Sequence, residues 1–131
     1  MASTTLTDYQ VLMGSSTTLD QDNSTSRPRT FTDTFTWPSD LHLSNGSRRP
    51  MIMFNIHPQE NTEFDLFLNG GFMIFDMKFN KSNTRNHFEV FDFDAAIARG
   101  IPDDKKLEFR ITMKKGKARF SDIVIWYQIN R

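Results

Sequence analysis

The sequence predicts an all-β domain, an antiparallel β-sandwich or small jelly-roll-like β-barrel, with one short helix and an extended N-terminal arm. Three observations lead there. Residues 64–79 hold two apolar runs facing each other across Asn69-Gly70-Gly71, residue types that tolerate the positive φ of a tight hairpin turn. Leu107, Phe109, Ile111 and Met113 alternate with Glu108, Arg110, Thr112 and Lys114, the period of a strand buried on one side. The one clear helix is read at residues 94–100, where Asp94 stands as N-cap and Gly100 lies just past the end.

Taken in order, residues 1–30 are rich in Ser, Thr, Asp, Asn and Gln and too poor in apolar residues to fold alone. Leu6, Tyr9, Leu12 and Met13 fit a short helical stripe, while Tyr9, Val11 and Met13 fit a strand equally well. This stretch is expected to be an arm ordered by neighbours, with residues 31–131 forming the single domain. Residues 31–37 alternate Phe31, Asp33, Phe35 and Trp37 with three threonines, a strand that Pro38 ends because proline cannot donate to a ladder. Residues 39–40 and 44–47 are turn material, and residues 51–56 form a short apolar strand closed by Pro58.

In the second strand of the hairpin, Met73, Phe75, Met77 and Phe79 fall on one face and Phe72, Ile74, Asp76 and Lys78 on the other. Residues 80–86 read as a polar loop. Residues 88–93 are strand-like, but Phe88 and Val90 share one parity and Phe91 and Phe93 the other, a slip that a bulge would explain. Lys115-Gly116 turns the chain into residues 118–129. There Ile123, Ile125, Tyr127 and Ile129 lie on one side and Val124 and Trp126 on the other. A strand apolar on both faces is central in its sheet or covered by a partner. Six to eight strands result.

Composition sets the remaining bounds. The chain has 131 residues, no cysteine and zero formal net charge, so disulfides and thiolate metal sites are excluded. No apolar run reaches the roughly 20 residues of a bilayer-crossing helix. The first ten residues lack the basic start and apolar stretch of a signal peptide, so a virion or the cytoplasm of the producing cell is the expected location. Thirteen phenylalanines exceed what so small a core needs, which points to subunit contacts. Charge is uneven: residues 27–50 and 101–131 are basic, while residues 1–26 and 51–100 are acidic, so oppositely charged patches of neighbouring subunits can set register.

Chemistry-bearing residues do not converge. His42, His57 and His87 show no ligand spacing. Asp92, Asp94, Asp103 and Asp104 lack the glycine-punctuated alternation of a calcium loop. Glu60, Glu63, Glu89 and Glu108 could supply a glycosidase pair, but any acidic protein offers as many. No nucleophile elbow, P-loop or dinucleotide fingerprint is present, and no cofactor is expected. Lys114, Lys115, Lys117 and Arg119 surround one hairpin tip. They suit edge protection better than single-stranded nucleic acid. Trp37, near Asp33, His42 and Asn45, could stack a sugar ring, as could Trp126.

Residues 35–56 place an aromatic-Pro-Ser-Asp-Leu turn before a polar loop, then Arg-Pro, then an apolar strand. In Trp37, Pro38, Asp40, Leu41, Arg49, Pro50, Ile52 and Phe54 this segment resembles the opening of baseplate and tail-tube-initiator proteins of contractile-tailed phages. The resemblance covers about a sixth of the chain and implies a virion or tail structural protein without catalytic residues. The resulting expectation is a non-enzymatic subunit of a virion, phage tail, baseplate or similar particle. It would contact copies of itself and other subunits, but no membrane, through the arm and aromatic interfaces. Tyr9, Leu12, Phe31, Phe35, Trp37, Lys114, Lys115 and Lys117 are the interface candidates. The alternative is a carbohydrate-binding, lectin-like module stacking a glycan on Trp37 or Trp126.

Overall fold

The computed structural model describes residues 5–41 and 50–130, so His42, Asn45 and the middle of the phage-like segment lie outside the described residues. The chain runs β1 (Thr5–Met13), β2 (Thr17–Asp20), β3 (Thr30–Thr36), β4 (Met51–Pro58), β5 (Thr62–Leu68), β6 (Gly71–Phe79), β7 (Arg85–Val90), α1 (Asp94–Ala98), β8 (Lys106–Lys115) and β9 (Lys117–Asn130). Two antiparallel sheets form a sandwich. One has the order β1-β9-β4-β7 with β2 also paired to β9, and the other the order β3-β8-β5-β6.

Alternation supplies the core. Ile52, Phe54 and Ile56 of β4, Leu107, Phe109, Ile111 and Met113 of β8 and Ile123, Ile125 and Ile129 of β9 are all buried. Phe54 lies 6.2 Å from Phe64 and 6.0 Å from Phe120, ring centre to ring centre, and Phe64 meets Phe120 edge to face at 5.1 Å. A second aromatic group joins Phe35, Phe93, Tyr127 and Trp37 at 5.0–5.9 Å. Each such pair adds about 0.5–1.5 kcal/mol beyond simple area burial.

The polar leader is where expectation and structure part. Residues 5–20 are not an arm outside the domain but two strands laid along β9, with Leu12, Met13 and Leu19 buried. The physical reason is that β9 sits inside its sheet and needs a backbone ladder on both sides. Even a polar segment can satisfy those bonds. The sheets also do not close into a barrel. On one flank Gln10 bridges them, its Nε2 donating to the Thr36 carbonyl at 2.6 Å while its Oε1 accepts from the Thr36 N–H at 2.9 Å. The other flank, between β6 and β7, has no backbone pairing.

Three smaller differences have local causes. In β6 a register shift opposite Leu66, with Asp76 at φ 57°, breaks the expected apolar face. Met77 and Phe79 stay buried while Phe75 is 66% exposed. The parity slip after Val90 is the end of β7 rather than a bulge, and Phe91 turns inward with its N–H bonded to the Pro50 carbonyl. Asp94 does not cap α1: Phe93 occupies that position without a side-chain bond, and Asp94 sits in the first turn, where its charge favours the helix's positive end. The C-terminal end matches expectation, with Gly100 at φ 84°. Asn69 of the hairpin turn donates to the Ala96 and Gly100 carbonyls, tying turn to helix.

On the outer side of the second sheet, Lys114 bonds Asp76 and lies 3.4 Å from Glu63 and 3.3 Å from Asp65. The Asp76 hydrogen bond, then Asp65, raise the Lys114 pKa above its ordinary value, and Lys114 in turn holds the Asp76 carboxyl below the usual range.

Two outcomes follow from this architecture. Deleting residues 1–20 strips β9 of both strands on one side and should abolish the cooperative thermal transition seen by circular dichroism. Survival of that transition would contradict the role given to β1 and β2. The second concerns pH. A depressed Asp76 pKa gives stability that is present above the unfolded value and lost as pH falls through the folded one. Lys114→Met leaves three carboxylates without their cation, so its urea midpoint should rise, not fall, as acid protonates them. Denaturation series on both proteins across the acid range check the reversal.

Candidate ligand-binding face

Strand register assembles a surface from four distant parts of the chain. Tyr9 pairs with Trp126, Trp126 with Met51, and Met51 with Val90; one step along, Val11 pairs with Val124, Val124 with Met53, and Met53 with Phe88. Directly paired residues project to the same side of a sheet. Ile52, Phe54 and Ile125 between them point into the core, so both rows point out. Tyr9, Val11, Phe88 and Val90 are 47–55% exposed, Met51, Met53 and Trp126 are half-buried, and Val124 lies buried between its neighbours. The Tyr9 and Trp126 rings lie 4.9 Å apart, tilted by 40°. Four strands about 4.8 Å apart make the rows about 14 Å long.

The face carries no charged side chain. Beyond one row, Gln128 Nε2 donates to Thr7 Oγ1 at 3.2 Å. Beyond the other, Asn55 Nδ2 donates to an Asp122 carboxylate oxygen at 2.7 Å, with Ser121 and Asn86 paired to Asn55 in register. Three irregularities fall at that second border: register shifts after Val11 and after Met53, and Asp122 at φ 52°. Bulges cluster beside functional sites because they re-aim side chains. The one in β9 swaps its parity, so that Ala118 and Phe120 point inward before it and Ile123 and Ile125 after it, leaving Val124 and Trp126 outside.

β7 shows the same choice inverted. Arg85, His87 and Glu89 share the inner side with Ile56, Phe54 and Ile52, while Phe88 and Val90 face out. The inner polar groups satisfy one another at the open flank: His87 meets Glu89 at 3.1 Å and packs 5.4 Å from Phe54, and Arg85 lies 4.7 Å over the Phe79 ring.

Of the residues singled out by sequence, Tyr9 and Trp126 fall on this face. Leu12 and Phe35 are buried, Phe31 packs partly against the core, and Trp37 meets Phe93 edge to face at 5.0 Å, so no ring face of this group is presented together. Lys114 belongs to its carboxylate cluster, Lys115 is exposed, and Lys117 lies 4.0 Å from Glu60. Glu63, Glu89 and Glu108 likewise face Lys114, His87 and Arg110. Among the described residues no group of three or more His, Asp or Glu is placed to hold a metal ion, and no helix is long and apolar enough to cross a membrane. Val11, Met51, Met53, Phe88, Val90 and Val124 were not anticipated as site residues. For Met51, Met53 and Val124 the sequence signal is that residues 51–56 and 123–129 carry apolar side chains at both parities, and for Phe88 and Val90 it is their shared parity opposite to Phe91 and Phe93.

A second exposed aromatic strip lies on the other sheet. The Arg110 guanidinium stands 4.3 Å over Phe67, Phe67 lies 4.7 Å from Phe72, and Phe72 lies 5.9 Å from Phe75. Between β6 and β7 runs a groove of about 460 Å³ whose walls include Phe72, Phe75, Glu89, Val90 and Asp94.

No family model matches the chain, and no curated protein matches its sequence. Solved structures match the fold. Among them is SGBP-B of the Bacteroides ovatus mixed-linkage glucan utilization locus, in complex with a mixed-linkage heptasaccharide. The TM-score is 0.51 at 12% identity, over 90% of this chain and 28% of that one, so this chain spans under a third of the neighbour's length. At that identity the likeness is one of fold: an all-β sandwich of the kind found within a larger glycan-bound protein.

Proposed function

We propose that this chain is a non-enzymatic carbohydrate-binding module that holds a glycan on the outer face of its five-stranded sheet, with Tyr9 and Trp126 as the stacking pair. One observation carries the reading: eight uncharged, apolar side chains in two registered rows stand on the solvent side of a sheet whose inner side already makes a full core. The rows are smaller than the patches that mark a site by area alone, and what supports a binding role is that they are apolar and aromatic in strict register across four strands. A pyranose ring has apolar C–H faces and a rim of hydroxyls. The rows suit the faces, and the Thr7, Gln128, Asn55 and Asn86 borders suit the rim. The fold neighbour's oligosaccharide complex supports the same ligand class. The pairing of Glu60, Glu63, Glu89 and Glu108 with basic groups favours binding over hydrolysis.

Trp126→Ala should weaken retention of the protein on immobilised polysaccharide by about tenfold or more, equivalent to about 1.4 kcal/mol. Its melting transition should change little, because the ring lies on the outer face of the sheet and outside the core cluster. A broad glycan array without Trp126-dependent binding would remove the proposal.

A second reading, a subunit of a virion or tail particle, is favoured by a separate observation: Phe72 and Phe75 are 52% and 66% exposed on the edge strand β6. It predicts oligomers that Phe75→Ser dissociates. Light scattering that gives a monomer at every concentration rules it out.

A further inference from the structure

Resting on the glycan reading, we infer that the ligand is the interior of a neutral, β-linked polysaccharide, laid across the strands from β1 to β7 rather than along them. Three features of the face lead to this class. First, the two rows run out to both lateral edges of the sheet, since β1 and β7 are its edge strands. A ligand on such a platform enters on one side and leaves on the other, which suits a run of rings within a chain and not a chain end. Second, the aromatic contacts stand at opposite corners, Tyr9 and Trp126 on β1 and β9 and Phe88 on β7, with Met51, Met53 and Val124 between. Their separation of two to three strand spacings, about 10–14 Å, exceeds one sugar ring. A β-linked chain of the extended, 1,4-type presents C–H faces continuously along such a path, whereas a coiled α-1,4-linked chain touches a broad face with isolated rings. The flexible thioethers of Met51 and Met53 fill the middle without demanding one ring position.

Third, the charge pattern selects against acidic sugars. None of the eight side chains is cationic, and Asp122 at the border is an anion already accepting from Asn55; the outward-facing Arg119, paired with His57, stands one row further out. A uronate or sulfate laid on the rows themselves would be desolvated near a carboxylate with no cation among the eight side chains to receive it. Neutral hydroxyls meet amide and hydroxyl partners instead.

Calorimetric titration of the whole chain with four probes tests this: a β-linked glucose disaccharide, the corresponding hexasaccharide, an α-linked glucose hexasaccharide and a galacturonate oligosaccharide. The β-linked hexasaccharide should bind about tenfold or more tighter than the disaccharide, a gain of about 1.4 kcal/mol. Phe88→Ala should erase most of that gain, Phe88→Trp should restore it, and Trp126→Ala should weaken both ligands. Tighter binding of the α-linked or galacturonate probe, or a Phe88→Ala protein that keeps the length gain, overturns the inference and leaves the carbohydrate-binding reading standing. Binding of none of the probes, joined to a blank glycan array, overturns both.

Discussion

The fold depends on the backbone ladder that β9 makes on both of its sides. β1 and β2 run along one edge of this 14-residue strand and β4 along the other, so three segments separated by most of the chain are fixed in register by one element. Because side chains alternate with period two, a slip of one residue would turn the whole apolar set of a strand to the wrong side. β9 itself makes such a change once, at Asp122, where the backbone adopts φ 52° and the inward parity passes from Phe120 to Ile123. Without that bulge one half of the strand would point its isoleucines at water. With it, both halves feed the core, and Trp126 is placed outside.

The two outer faces of the sandwich answer solvent differently. On the second sheet, Thr30, Thr32, Thr34 and Thr36 of β3 lie beside Thr112, Arg110, Glu108 and Lys106 of β8, a polar surface of the ordinary kind, and the exposed rings lie in the Phe67, Phe72 and Phe75 strip on β5 and β6. On the first, two registered rows are apolar across four strands. Core demand does not explain this. Eight phenylalanines are buried inside, and the edge strand β7 directs Phe88 and Val90 away from the core while Arg85, His87 and Glu89 point toward it. Solubility favours the reverse arrangement, so the apolar rows need a cause outside the fold.

How much of this was legible can be traced residue by residue. Alternation at 107–113 and the Asn69-Gly70 turn are local signals, and both strands and turn stand where those signals put them. β1 and β2 were hidden because their stabilisation is not local. Thr5 pairs with Asn130 and Leu19 with Ala118, and no property of a polar leader reveals a partner a hundred residues away. The displaced phase in β6 and the end of β7 at Val90 are bulge and boundary effects that period-two counting cannot separate. The exposed apolar face was illegible for the same reason as β1. It exists only once positions 9–11, 51–53, 88–90 and 124–126 are brought into register, and each of those three-residue fragments looks like an ordinary strand. What the sequence did carry was the two-sided apolar character of residues 123–129, which has two explanations, a central strand and a covered face. Here the pairing on both sides makes the strand central, and the exposed rows beside it still call for a cover.

Size argues for what that cover is. The rows measure about 14 Å across four strands and about 7 Å along them, roughly 100 Å² in plan. A stable protein–protein interface takes about 800 Å² from each partner and surrounds its apolar centre with a broad rim. Even allowing severalfold for the relief of the side chains, the rows fall short of that, and the crease of bulges at Val11, Met53 and Asp122 ends the apolar surface abruptly on one side. A short run of sugar rings covers such a strip with its C–H faces and reaches the amides and hydroxyls on either border with its rim. The dimensions set by strand spacing therefore favour the proposed polysaccharide over a second sheet, and on that proposal the same spacing that builds the sandwich sets the length of the glycan.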